Sequence, residues 1–161
     1  MNGCGYTTGS AIPARFKTIY IEQFKNKIDF TSDSQRNLYM PLLEVKIRNA
    51  IINRFLFDGN LRITDKKDEA DFILSGELLR YERFALRFTD NNDAEESRVQ
   101  IIVAMKMWDN QKQEVYWEEG AFAGEATYFV RGALATTEAS AVEEATVDLG
   151  RRVTARTVED W

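Results

Sequence analysis

An α+β domain is the fold this sequence predicts: a mostly antiparallel sheet in β-α-β-β-β-α order, with two helices packed on one face. Three consecutive segments, 71–86, 98–108 and 114–130, alternate apolar and polar residues and are separated by turn-forming stretches. Two other segments, one from Pro41 and one from Ser140, place apolar residues at helical spacing before and after that meander. Size supplies a third observation. A chain of 161 residues that is 44% hydrophobic and 12% aromatic can bury about 70% of its unfolded surface, enough for a core without disulfides. The expected organisation is an extended tail over 1–15, holding three of the nine glycines, followed by a single domain over 16–161.

From Phe16 the pattern alternates, with Phe16, Thr18, Tyr20 and Glu22 on one face and Lys17, Ile19, Ile21 and Gln23 on the other, which predicts a strand. Residues 25–39 are polar and turn-rich, so the chain is expected to leave the sheet there. A helix then starts at Pro41, whose missing amide is harmless in a first turn. Leu42, Val45, Ile52 and Leu56 recur at helical spacing, and Leu43, Ile47 and Ile51 widen the apolar surface, predicting burial on more than one side. Asp58-Gly59 ends this helix, because glycine readily takes the left-handed C-cap conformation. Leu61 and Ile63 mark a short strand.

In the first long strand Phe72, Leu74, Gly76 and Leu78 share a face, and the adjacent pair Leu78-Leu79 predicts a bulge. In the second, Val99, Ile101, Val103, Met105 and Met107 face the core while Arg98, Gln100 and Lys106 face the other way. Asp109 to Gln113 make a polar turn. The third strand carries Tyr116, Trp117, Phe122, Tyr128 and Phe129. Ser140 with Glu143 fits a capping box, opening a last helix that buries Val142, Ala145, Leu149 and Val153.

The chemistry available is limited. There is no histidine and a single cysteine, Cys4, flanked by Gly3 and Gly5. Cys4 has no disulfide partner, no second thiolate for zinc and no base to activate it. Glu118-Glu119 and Glu143-Glu144 are adjacent pairs whose side chains diverge, so neither resembles a dyad sharing a proton. The run Asp90 to Glu96 begins like a calcium loop, but Ala94 replaces a ligand and the sharp-turn glycine is missing. It reads as a solvated hairpin tip. No phosphate-binding loop, dinucleotide fingerprint or nucleophile elbow occurs. The expectation is a protein that is not an enzyme and has no metal or cofactor. A net charge of −5 argues against nucleic acid as a partner, and no apolar run reaches the roughly 18 residues of a membrane-spanning helix. A lone terminal cysteine between small residues suits a lipid tether, although on its own it is better read as an unpaired thiol on a tail.

Cys4-Gly5-Tyr6, Lys17-Thr18-Ile19-Tyr20-Ile21, Phe24 with Asn26, Pro41-Leu42-Leu43-Glu44 and Ala70-Asp71-Phe72-Ile73-Leu74-Ser75-Gly76-Glu77-Leu78 occur in this order. Together with Gly124 to Tyr128 and the terminal helix ending at Trp161, they make the chain resemble the LptE family of lipopolysaccharide-assembly lipoproteins. The Ala70–Gly76 segment is the most specific part. The resemblance implies an outer-membrane lipoprotein on the periplasmic side, anchored by acyl and diacylglyceryl groups on Cys4 once a signal peptide has been removed. Met1 and Asn2 depart from that pattern, standing where a lipobox carries an apolar and a small residue. The family role it implies is to plug and help assemble an LptD-type β-barrel and to bind lipopolysaccharide during its transport to the outer leaflet. A long sheet with one wet face suits a polar barrel lumen.

An up-down-up meander brings the end of its first strand, the start of its second and the end of its third to one sheet edge. Arg87, Arg98 and Arg131 are therefore expected neighbours, and the family uses basic residues at comparable places for lipopolysaccharide. Arginine's planar fork suits lipid A phosphates, and Phe88, Tyr128 and Phe129 are expected beside the acyl chains. The other reading of these arginines is that they offset the acidic hairpin tip as surface ion pairs. A second function also stays open, that of a periplasmic lipoprotein regulating a cell-wall synthase or a secretion complex. Copurification from outer membranes discriminates between them.

Overall fold

The computed structural model describes residues 12–31 and 37–158; Cys4 and most of the 1–15 tail lie outside them. Pro13 to Phe16 form a turn closed by the Phe16 amide on the Pro13 carbonyl, 3.0 Å. Strands β1 (Thr18–Ile21) and β2 (Lys25–Asn26) come first, then helix α1 (Leu43–Asp58) and strand β3 (Arg62–Ile63). Strands β4 (Phe72–Phe88), β5 (Ala94–Asp109) and β6 (Glu114–Phe129) follow, and helix α2 (Glu138–Val158) closes the order. At about 3.3 Å per residue β4 is roughly 55 Å long.

The sheet is mixed, which corrects the expected mostly antiparallel arrangement. Its order is β3-β1-β4-β5-β6, with β2 beside β4. The β4-β5 and β5-β6 pairs are antiparallel, whereas β1 runs parallel to both β3 and β4, and β2 parallel to β4. The reason is the crossover: a helix between two strands carries the chain back to the end where it started, so the next strand runs parallel. Alternation within a strand carries no information on that direction.

Of the stretch expected to leave the sheet, residues 25–27 and 37–38 stay beside it. Glu22, Lys27 and Leu38 donate their backbone amides to the carbonyls of Leu74, Leu78 and Tyr81 at 2.9, 2.8 and 2.7 Å, and Asn37 bridges Glu82. These residues cover hydrogen-bonding groups on the edge of β4 that would otherwise invite another strand.

Helix α1 begins at Leu43, after Leu42 in a left-handed conformation at φ 58°, rather than at Pro41. Its buried stripe is Leu43, Ile47, Ile51 and Phe55, the first three of them expected; Val45 and Ile52 are half-buried, and Leu42 and Leu56 are exposed. The helix meets the sheet through this stripe and α2 through Ala50, opposite Gly150. Gly59 caps it as expected, at φ 76° with its amide on the Phe55 carbonyl. Arg48 ties α1 to the end of β1, its guanidinium donating to the Ile21 and Glu22 carbonyls at 2.8–3.0 Å. Helix α2 buries Val142, Ala145, Leu149 and Val153 as predicted, but its N-terminal cap is Thr137, whose Oγ1 accepts the Ser140 amide at 3.1 Å.

Both helices lie over the sheet face formed by Phe72, Leu74, Leu78, Val99, Ile101, Val103, Met105 and Met107, in one continuous core. They pack closely because glycine stands at the crossings. A Cβ on Gly124 would meet the Ala145 carbonyl oxygen at 2.4 Å, and one on Gly150 would meet that of Ala50 at 3.0 Å. The Ala70–Gly76 segment owes its pattern to the same packing. Ala70, Phe72 and Leu74 are buried, and a Cβ at Gly76 would lie 2.6 Å from the Phe24 ring. Asp71 Oδ2 accepts the Lys17 and Thr18 amides and the Thr18 hydroxyl at 2.8–3.1 Å, while its Oδ1 accepts Gln111 Nε2 at 2.6 Å. The segment clasps β1 to β4. The bulge at Leu78-Leu79 is present.

Candidate functional site

The β4-β5-β6 meander outruns its helices. The buried side of the sheet ends near Tyr81, Ser97 and Tyr128, where α2 begins. Beyond it the end of β4, the start of β5 and the end of β6 project uncovered. Leu86, Phe88 and Val130 are about half exposed there, and Leu134 is 72% exposed. Isolated exposed apolar residues are ordinary; here four of them gather at one end of the sheet.

Two turns shape this edge. At the β4-β5 tip, the Thr89 amide donates to the Asp93 carbonyl at 2.8 Å and Asn92 takes a positive φ of 62°. After β6 the chain folds back on itself, with Gly132 at φ 92° and the Thr136 amide on the Phe129 carbonyl at 2.9 Å. This second turn sets Arg131 and Leu134 at the projecting end instead of letting them run on into α2.

The structure brings Arg87, Arg98, Arg131, Phe88 and Phe129 to this end, as predicted from the meander. Arg87 lies opposite Glu96, and Glu96 lies opposite Phe129. Arg98, opposite Phe84 and Thr127, shares the helix-distal face with Glu96. The Arg87 guanidinium is 5.9 Å from the Phe129 ring centroid. It donates to Glu96 Oε2 at 2.8 Å and stands 3.9 Å from Glu95. Arg131 pairs with Asp93 at 3.1 Å. The hydrogen bond and charge of Glu96, joined by the charge of Glu95, raise the Arg87 pKa above its ordinary value. Among the described residues no ion pair or hydrogen bond engages Arg98. The edge thus contains cations and their own counter-charges together.

Tyr128 stands apart from the other predicted residues. It is 8% exposed and faces the core, where its hydroxyl lies 3.5 Å from Glu138. The strand's pleat sends it inward while Phe129 points outward. Glu138, in the first turn of α2, also accepts the Tyr81 hydroxyl and Arg83, each at 2.5 Å. Partial burial pushes its carboxyl upward, but these hydrogen bonds and the Arg83 charge outweigh that and hold it below the usual carboxylate range. Burial and the Glu138 hydrogen bond raise Tyr81 well above its ordinary value. Glu138 is therefore the fastening between α2, the inner strands and the projecting edge.

Leu86, Val130 and Leu134 were not singled out in the sequence. Leu134 alone left a signal, as the one bulky apolar residue between Arg131 and Thr137. The expectation that the arginines offset the acidic tip as surface ion pairs holds for Arg87 and Arg131, and cross-strand register decides which carboxylate each meets. Elsewhere, a groove of about 290 Å³ on the helix-distal face is lined by Ser75, Glu77, Lys106 and Glu118, with Lys106 and Glu118 at 3.5 Å. A shallow trough of about 410 Å³ separates the outer sides of α1 and α2 beside Phe57 and Val147. Neither assembles a nucleophile with a base. No cluster of potential metal ligands occurs among the described residues, and no helix among them is long and apolar enough to cross a membrane.

The family described as "LptE: Lipopolysaccharide-assembly" matches residues 16–157. No curated protein matches the chain. Among solved structures it is similar to a protein of Xanthomonas campestris, with 14% identity, 91% of this chain and 88% of that one covered, and a TM-score of 0.54. It is also similar to a hypothetical protein of Chlamydia trachomatis, with 10% identity, coverage of 88% and 95%, and a TM-score of 0.53. A minor lipoprotein of Acinetobacter baumannii shows 15% identity, coverage of 90% and 92%, and a TM-score of 0.52. At these identities the structures share the fold.

Proposed function

Because the chain belongs to the LptE family of lipopolysaccharide-assembly proteins, we propose that it is an outer-membrane lipoprotein that plugs and helps assemble an LptD-type β-barrel and binds lipopolysaccharide on its way to the outer leaflet. Its role is assembly, not catalysis. Acyl groups on Cys4 anchor it on the periplasmic side of the membrane.

The observation that carries the lipid reading is the projecting edge. Arg87, Arg98 and Arg131 stand beside Phe88, Phe129 and Leu134 where the helices no longer cover the sheet. A phosphorylated glycolipid presents the matching pair of chemistries. Its phosphates accept charge-assisted hydrogen bonds from guanidinium groups, and its acyl chains gain about 25 cal/mol per Å² of apolar surface removed from water. Tyr128 takes no part in contact and serves by holding Glu138 from beneath.

The barrel reading rests on family membership and on the wet outer face of the long sheet, where Lys106, Glu118 and Gln100 are accessible to a polar lumen. The test is isolation of the acylated protein from outer membranes with whatever accompanies it. A large β-barrel protein that coelutes in constant ratio is the expected outcome. Recovery with a peptidoglycan synthase or a secretion component would instead favour the regulator. For the lipid site, Arg87→Glu with Arg131→Glu is expected to abolish capture of lipopolysaccharide by the full-length protein; unchanged capture sinks the site.

A further inference from the structure

The trough between the outer sides of α1 and α2, about 410 Å³ in volume, holds a cation for which the described residues supply no acceptor. Gly150 shapes it. A Cβ there would stand 3.0 Å from the Ala50 carbonyl oxygen and 3.5 Å from the Arg54 Cβ, so the missing side chain lets the Arg54 stem lie against α2. The Phe57 ring lies beside the head of that side chain, its centroid 5.2 Å from the guanidinium carbon. Arg54 Nε is buried with no acceptor, and among the described residues no hydrogen bond or ion pair engages the rest of the guanidinium. Glu143, the carboxylate lining the trough, is taken by Lys46 at 2.5 Å. A buried donor without an acceptor carries its full desolvation penalty, and such a group in a native protein calls for an explanation.

We infer that this trough docks a segment of a protein partner that presents a carboxylate next to an apolar side chain. The carboxylate takes the forked N–H groups of Arg54. The apolar group is covered by Phe57 and Val147, which are 81% and 63% exposed in the unpartnered protein. Charge selects a carboxylate over a phosphate. Because Lys46 and Glu143 match each other, the trough is left with the single charge of Arg54, which one carboxylate balances and a doubly charged phosphate exceeds. The rim selects a polypeptide over an acyl chain. Asn49 and Asn53 stand one turn apart on α1, both exposed, and their amides both donate and accept, as a peptide backbone requires and a hydrocarbon does not. An arginine beside an aromatic ring is also the kind of pair that dominates the energetics of protein interfaces. The inference does not depend on the lipid reading of the projecting edge.

The test places a photoreactive aromatic residue, benzoylphenylalanine, at position 57 of the full-length protein, irradiates the cells that produce it, and maps the adducts by mass spectrometry. The expected product is one recurrent protein segment with an Asp or Glu within four residues of a large apolar side chain. Arg54→Met, which keeps the apolar stem, is expected to lower the adduct yield about tenfold, the effect of losing one charge-assisted hydrogen-bonded contact. Arg54→Lys is expected to retain more of the yield than Arg54→Met, because it keeps the charge while losing the fork. A second variant leaves this protein untouched: replacing the mapped carboxylate of the partner by its amide should lower the yield as far as Arg54→Met does. That arm decides the matter if Arg54→Met changes the melting temperature. Adducts on lipid alone, the absence of a recurrent adduct, or a mapped segment without a carboxylate overturns the inference. So does a yield that survives neutralisation of the mapped carboxylate.

Discussion

Replacing Glu138 by alanine tests whether one carboxylate fastens α2 to the sheet beneath the projecting edge. The variant leaves the Tyr81 hydroxyl, on a residue 1% exposed, without its acceptor, and an orphaned buried hydroxyl costs about 1–3 kcal/mol. It removes an ion pair with Arg83, which is half exposed and therefore worth at most about 1 kcal/mol. It also removes a negative charge from the first turn of a helix, worth about 0.5 kcal/mol. The sum is about 2–4 kcal/mol, or a fall in melting temperature of about 10 °C for a domain of this size. Chemical denaturation followed by circular dichroism reads it directly. Glu138→Gln keeps an acceptor for Tyr81 and should lose only about 1 kcal/mol. Tyr81→Phe in the Glu138→Ala background should recover part of the loss, because the orphaned hydroxyl is gone. Because the folded pKa of Glu138 lies below its ordinary value of 4.5, its contribution is fully present above that value and disappears as pH falls through the folded pKa. The gap between the native protein and Glu138→Gln should be constant from about pH 6 to 8 and close in acid. A loss under 1 kcal/mol, or no rescue by Tyr81→Phe, refutes the fastening.

Other substitutions probe the packing behind the site. Gly124→Ala puts a methyl 2.4 Å from the Ala145 carbonyl oxygen, a backbone atom that can yield only by moving α2, so a loss of about 1–3 kcal/mol is expected in thermal melts; an unchanged melting temperature would show that α2 is not seated there. Asp71→Ala removes the acceptor of four hydrogen bonds that join β1, β4 and the β5-β6 turn and should cost about 2–3 kcal/mol. Burial pushes the Asp71 carboxyl up, but the donors from Lys17, Gln111 and Thr18 outweigh it and hold the pKa below 3.8. The native protein's advantage over Asp71→Ala should therefore be full above about pH 4 and shrink as pH falls below it; an advantage that does not vary with pH would mean that the carboxylate is not the group bound.

Much of the fold was legible because it depends on local patterns. The meander, its bulge at Leu78-Leu79, the Gly59 cap and the buried stripe of α2 follow from side-chain periodicity and from glycine's backbone freedom. Helix α1 was read too broadly: Leu42, Val45, Ile52 and Leu56 were expected in the core beside Leu43, Ile47 and Ile51, and only the latter, with Phe55, are fully buried. Both sets have helical spacing, and only the sheet decides which is covered. The cap of α2 was misplaced by three residues because Thr137 and Ser140 are equally competent acceptors.

By itself the sequence determined the family, the α+β class, the placement of three arginines at one end of a meander, and the absence of histidine chemistry. These are properties of order, spacing and composition. Tertiary structure decided the rest: the parallel pairing of β1, the covering of β4's edge by residues 25–27 and 37–38, the inward turn of Tyr128, and which carboxylates of the acidic tip sit on Arg87 and Arg131. Each depends on which residue lies opposite which across strands or helices distant in sequence. A linear pattern does not encode that register, because backbone hydrogen bonds are the same whatever side chains they bring together. Packing the core selects it.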